Sequence, residues 1–174
     1  IRRLLPGETI VVDDGRIVSH THEPAFPLDP PIAISAQDAL KKLDHTLEQA
    51  VDVHQRSDVP YAMFLSGGID SSALLAMMAR LNDQPVTTFT AGFPGTNVAD
   101  ERNLARDVAK ACNAEAVDVS VTAEDFWNYL PAIVAGMDDP VADYAIIPTW
   151  LLAKTARDQG FKVVLSGEGG DEIF

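Results

Sequence analysis

"FLSGGIDSSALLAMMAR", residues 64–80, decides how this chain folds. The apolar run "VPYAMFL" (59–65) stops at Gly67 and Gly68, and after Asp70 a second apolar run of helical character occupies 71–81. A short apolar strand, a glycine turn and a helix make the repeating unit of a parallel sheet. The unit recurs downstream. Strand "PVTTFTAGF" (85–93) is rich in β-branched residues and precedes helix "ADERNLARDVAKAC" (99–112), with Asp100 expected as N-cap. Strand "EAVDVSV" (115–121) precedes a helix opened by Thr122 and Asp125 and expected to bend and restart at Pro131. Pro148 belongs in the first turn of helix "TWLLAKTARDQ" (149–159), Gly160 ends that helix, and "FKVVLS" (161–166) is the last strand. Each strand is apolar throughout, as burial on both faces requires. The fold predicted is α/β: a doubly wound, mainly parallel sheet with helices on both faces.

Upstream, "ETIVVDDGRIVSH" (8–20) alternates around Asp14-Gly15, a pair suited to a type I′ turn, and predicts a short β-hairpin. Pro24, Pro27, Pro30 and Pro31 forbid a helix or central strand and predict an extended connector. The expected organisation is therefore a hairpin at 1–20, a Pro-rich linker at 21–34 and a domain at 35–174. Two strands are not stable alone, so the hairpin reads as the tail of a preceding domain. Ser35 and Asp38 resemble a capping box, and Leu40, Leu43, Leu47, Ala50, Val51 and His54 form a helical stripe expected to pack on the sheet.

Bulk properties exclude several classes of function. The 174 residues are 47% hydrophobic and carry a net charge of −13, with a pI near 4.5. Such acidity repels nucleic acid and anionic lipid, and no segment approaches the roughly 18 to 20 apolar residues of a membrane span. Cys112 is the single cysteine, so no disulfide or Cys-x-x-Cys site exists; a reducing cytoplasm and a small packed residue on a helix are expected. "IRRLLPGETI" lacks the features of a signal peptide, and without an initiator Met the chain is expected to lie within a larger protein. His20 and His22 form a His-x-His pattern on the expected connector and are assigned no metal.

Ligands of an open parallel sheet bind outside the carboxyl ends of its strands, which singles out "SGGIDSS", "TAGF" and "SGEGGDEIF". Gly67 and Gly68 leave room for backbone N–H groups to converge on an anion, and the following helix turns its positive end to the same point. The hydroxyls of Ser66, Ser71 and Ser72 can donate to the same oxygens, which describes a phosphate cradle. No Walker Lys is present, so charge must be offset otherwise. Asp70, and Asp171 after the last strand, suggest Mg²⁺ bridging carboxylate and phosphate oxygens. A tight turn with Asp70 or Ser71 as N-cap would also place glycines here, but a second Ser-Gly-x-Gly-Gly-Asp at the same edge weighs against it.

With these residues the chain resembles the synthetase domain of glutamine-hydrolysing asparagine synthetases, within the PP-loop ATP pyrophosphatases (adenine nucleotide alpha hydrolase-like). "FLSGGIDSS", "TFTAGF" and "VVLSGEGGDEIF" carry the resemblance from about Ser35 to Phe174, and "LLPGETIVVDDGRI" is similar to the last hairpin of the family's glutaminase domain. The resemblance implies that ATP and Mg²⁺ activate the side-chain carboxylate of aspartate as an adenylate, which ammonia then converts to asparagine and AMP. It implies that Ser66, Gly67, Gly68, Ser71 and Ser72 hold the pyrophosphate end, that Asp70 and Asp171 ligate Mg²⁺, and that Leu65, Ala91, Ser166 and Gly167 contact adenosine largely through backbone. Glu168 is the candidate for proton handling as ammonia attacks; Glu172 is a weaker candidate, for an ammonium contact or equally for a charge at a helix N-terminus.

"DDPVADYAIIPTW" is a further point of resemblance, with Ala145 where the family commonly has Ser; Asp143 is expected to cap the next helix. The family's N-terminal Cys nucleophile is missing, so ammonia is expected from a glutaminase domain outside this chain. The synthetase domain itself reads as truncated at its C-terminus. A homodimer is expected for the full-length protein. Two other readings stand beside this one: a relative, such as a β-lactam synthetase-type enzyme or another amidotransferase, that adenylates a different carboxylate; and a non-catalytic nucleotide-binding regulatory module.

Overall fold

The computed structural model describes residues 2–24, 30–98, 100–139, 141 and 143–170. The chain forms two compact units, Ile1–Leu40 and Lys41–Phe174. In the first, Asp14 and Gly15 take φ angles of 45° and 72°, the paired positive values of a type I′ turn. They join β1 (Glu8–Asp13) to β2 (Arg16–His22), with Glu8 opposite His22, Ile10 opposite His20 and a bulge between Val11 and Val12. The second strand runs past its expected end, so His20 and His22 stand on β2 and not on a connector. His20 Nε2 lies 3.3 Å from Glu8 Oε1. Residues 25–29 of the expected linker lie outside the described residues.

Helix α1 (Ala36–His54) begins as the sequence predicts, with Ser35 Oγ accepting from the Asp38 N–H at 3.2 Å. Its apolar stripe packs less than expected: Val51 is buried, whereas Leu43 is 37% exposed and Leu40 66% exposed.

The second unit is built on four parallel strands, β3 (Tyr61–Phe64), β4 (Thr87–Gly92), β5 (Glu115–Ser120) and β6 (Val163–Leu165), in the order β5-β4-β3-β6. Between them run α2 (Ile69–Leu81), α3 (Arg102–Ala111), α4 (Ala123–Ala135) and α5 (Ile146–Asp158). Because strand side chains alternate in direction, the run Ala62-Met63-Phe64-Leu65 feeds two cores. Ala62 and Phe64 pack with Phe89, Val119, Ile133, Ile147 and Leu151 beneath α4 and α5. Met63 and Leu65 pack with Leu75, Met78, Ala105 and Ala109 beneath α2 and α3. The sheet is thus doubly wound, with helices on both faces.

Two helix termini depart from expectation. Asp100 is not the N-cap of α3; Glu101 is, without a side-chain bond, because Asp100 instead accepts from the backbone and guanidinium of Arg102. Pro131 does not restart α4, which runs as one helix through it; the ring lies on an exposed side, and the carbonyl of Trp127 loses its helical donor there. The start of α4 agrees: Thr122 Oγ1 accepts from Asp125 N–H at 3.1 Å and Asp125 Oδ2 from Thr122 N–H at 2.9 Å. Among the described residues no helix is long and apolar enough to cross a membrane.

Candidate functional site

The chain leaves β3 for β4 and β5 on one side, then returns to β6 on the other. Strand order reverses between β3 and β6, the place at the carboxyl edge of an open parallel sheet where ligands bind. The loops that enter it are residues 66–68 and 166–170.

At the first loop, Leu65 is buried and donates its N–H to Phe89 O at 3.0 Å, while its carbonyl accepts from the buried hydroxyl of Thr90 at 2.7 Å. These bonds extend the hold between β3 and β4 past the last paired residue and fix where the loop departs. Gly67 has φ +82°, and a Cβ there would lie 3.2 Å from both Ala105 N and Leu104 Cγ of α3. The positive φ of the turn therefore favours glycine, and α3 packs tightly against the position. Ser66 Oγ accepts from Gly68 N–H at 3.2 Å and lies 3.0 Å from Ser71 Oγ; Ser71 Oγ donates to Gly68 O at 3.1 Å.

Gly68 is the N-cap of α2, with no side-chain hydrogen bond to the first turn. Neither Asp70 nor Ser71 caps this helix. Both lie inside its first turn, Ser71 buried and Asp70 half-buried, so the N-cap position supplies no side-chain acceptor to the positive end of α2. Ser72 donates its N–H back to Gly68 O at 3.0 Å as an ordinary helical residue.

The second loop packs directly on that turn. A Cβ on Gly167 would lie 2.8 Å from Ser71 N and 2.9 Å from Ser71 Cα, and one on Gly170 would lie 2.7 and 2.8 Å from the Asp70 carboxylate oxygens. Gly167 lets the two loops meet backbone to backbone, and Gly170 makes room for the Asp70 carboxylate. Ser166 and Glu168 are exposed beside them, and Ala91, on β4 opposite Val119, is half-buried. Asp171 and Glu172 lie outside the described residues. Asp143 accepts from Ala145 N–H at 2.8 Å, one turn ahead of α5, whose N-cap is Ala145.

The structure thus brings Leu65, Ser66, Gly67, Gly68, Asp70, Ser71, Ser72, Ser166, Gly167 and Glu168 to one edge, with Ala91 at the end of the neighbouring strand. Sequence reading gave no part to Thr90, Gly170 or Arg102. The first was legible only as a strand former; Gly170 acts through Asp70, distant in sequence, and Arg102 through its neighbour Asp100 and the strand end at Gly92.

A family model described as asparagine synthase matches residues 42–174. The chain is 35% identical over its whole length to the glutamine-hydrolysing asparagine synthetase 1 of Bacillus subtilis, covering 27% of that protein. It is 29% identical, again over its whole length, to asparagine synthetase B of Escherichia coli, covering 33% of it. The chain therefore spans about a third or less of the curated relatives it matches. Among solved structures, the U34-tRNA thiolase of Methanococcus maripaludis superposes with a TM-score of 0.53 at 16% identity over 76% of this chain and 46% of that one, a likeness of fold alone.

Proposed function

We infer the function from one premise: the chain belongs to the asparagine synthase family, whose reaction class is ATP-dependent amidation. We propose that this unit adenylates the side-chain carboxylate of aspartate. One carboxylate oxygen attacks the α-phosphorus of ATP, the bond from that phosphorus to the bridging oxygen breaks, and pyrophosphate leaves. Ammonia then attacks the acyl carbon, one proton is lost from nitrogen, and AMP departs with the C–O bond electrons to leave asparagine. Activation is needed because a bare carboxylate would have to expel oxide.

The observation that supports this reading is the contact of Gly167 and Gly170 with Asp70 and Ser71 at the point of strand reversal. A cradle so lined fits a triphosphate. Ser66, Gly67, Gly68, Ser71, Ser72 and the first amides of α2 would hold the pyrophosphate end. Leu65, Ala91, Ser166 and Gly167 would meet adenosine through their backbone. Asp70, with Asp171, suits Mg²⁺, which keeps several waters and needs only one or two carboxylates beside phosphate oxygens; when bound it would offset charge building on the leaving group. Glu168, exposed at the mouth, would take the proton from the attacking nitrogen. Most of the rate gain would come from positioning and charge neutralisation. Ammonia would be delivered by a glutaminase-type domain, of which the β1–β2 hairpin is the closing element.

Pyrophosphate release by the intact protein over a panel of carboxylic acids tests the proposal. Release with aspartate alone supports asparagine formation. Release with another acid changes the substrate and keeps the chemistry; ATP binding without release with any acid favours a regulatory module. Asp70→Asn is expected to remove Mg²⁺-dependent release while the fold persists, and normal release in that variant would take Asp70 out of the metal site.

A further inference from the structure

The first turn of α3 touches both halves of the proposed nucleotide site. It lies against the loop after β3, where a Cβ on Gly67 would stand 3.2 Å from Ala105 N and Leu104 Cγ. It also lies against the end of β4, where a Cβ on Gly92 would fall on Cδ and Nε of Arg102 and 2.5 Å from its Cζ. Gly92 follows Ala91 directly. The Arg102 side chain is only 19% exposed, and Asp100 holds it as a fork: Nε donates to Oδ1 at 2.8 Å and Nη2 to Oδ2 at 2.6 Å, while the Arg102 backbone N–H donates to Oδ1 at 3.1 Å. A two-pronged pair of this kind sets orientation as well as distance. From the opposite flank Val121 N–H donates to Gly92 O at 2.8 Å, so the end of β4 is gripped between β5 and α3.

We propose that Arg102 is a positioning residue: latched by Asp100, it seats the first turn of α3 on Gly92 and Gly67 together and so sets the distance between the base-binding end of β4 and the phosphate loop after β3. The proposal rests on the nucleotide reading above. A ligand that engages two subsites gains from its covalent linkage only when they are held at its own length. ATP spans both ends and depends on that distance; adenosine and pyrophosphate use one end each and do not. Lysine in place of arginine keeps the charge and loses the fork.

The test is calorimetric titration of the intact protein with ATP, adenosine and pyrophosphate in the presence of Mg²⁺, for the wild type, Arg102→Ala, Arg102→Lys and Asp100→Asn, with thermal melts to report folding. Arg102→Ala is expected to weaken ATP by about 10-fold or more and each half-ligand by less than about 3-fold. Arg102→Lys should resemble Arg102→Ala, and Asp100→Asn should fall between it and the wild type. Equal losses for all three ligands, or an unchanged ATP affinity, would overturn the proposal. If Arg102→Ala does not fold, Arg102→Lys and Asp100→Asn carry the same comparison, and the same results support or overturn the latch. Failure of the wild type to bind ATP overturns the nucleotide reading and this proposal with it, whereas wild-type binding with an unshifted variant overturns the latch alone.

Discussion

Gly167→Ala is the sharpest perturbation of the contact on which the site depends. The added Cβ would stand 2.8 Å from Ser71 N, 2.9 Å from Ser71 Cα and 3.1 Å from Asp70 C. All three atoms are backbone in the first turn of α2, so no side-chain rotation can relieve them. To restore an ordinary contact of about 3.5 Å the two loops must part by roughly 0.7 Å. Overpacking of this order costs about 1–3 kcal/mol, which in a chain of this size lowers Tm by roughly 2–12 °C. The effect on catalysis is the larger one, since a displacement near 1 Å at a reacting centre costs on the order of 10²-fold in rate. The assay pairs a thermal melt with pyrophosphate release by the intact protein. Gly160→Ala is the control: φ is +94° with nothing within 4 Å of the added Cβ, so it should cost about 1–2 kcal/mol through backbone strain and leave release unchanged. Release by Gly167→Ala equal to that of Gly160→Ala would refute the argument that loop contact builds the site.

Thr90→Val keeps the shape of a buried side chain but strips the Leu65 carbonyl of its 2.7 Å donor; the expected loss is about 1–3 kcal/mol in urea unfolding, and unchanged stability would show that solvent serves that carbonyl. Thr122→Ala dismantles the capping box of α4 and should lower stability by about 1 kcal/mol with pyrophosphate release intact; a loss of release would tie α4 to the site. The side-chain fork of Arg102, and then its backbone N–H, hold the Asp100 carboxyl down to about 2. Its folded value lies below its unfolded one, so its contribution is full above the ordinary carboxylate range and is lost as pH falls from about 4 towards 2. Melts across that window should therefore fall less steeply for Asp100→Asn than for the wild type, and identical slopes would count against the pair.

Much of the architecture was legible because its signals are local. The order of strands and helices followed from apolar runs broken by glycine and proline, and the I′ turn at Asp14-Gly15 and the Thr122–Asp125 box each depend on residues within three positions of one another. What failed was also informative. Asp100 looked like an N-cap because an acidic residue ahead of a helical run suits that position, and sequence does not decide whether its carboxylate takes the first-turn amides or, as here, the guanidinium of Arg102 two residues on. The stripe on α1 was read correctly as amphipathic, but an apolar stripe does not reveal how much of it finds a partner.

The candidate site divides in the same way. Sequence alone pointed to the loops that follow β3 and β6, because that depends only on where strands end and on the types of residue that follow. Tertiary structure decided that the two glycine loops touch, that Thr90 anchors the first of them, and that Arg102 closes over Gly92. Those contacts depend on β6 returning beside β3 and α3 crossing two strand ends, and pairings between segments so far apart in sequence leave no local periodicity to read.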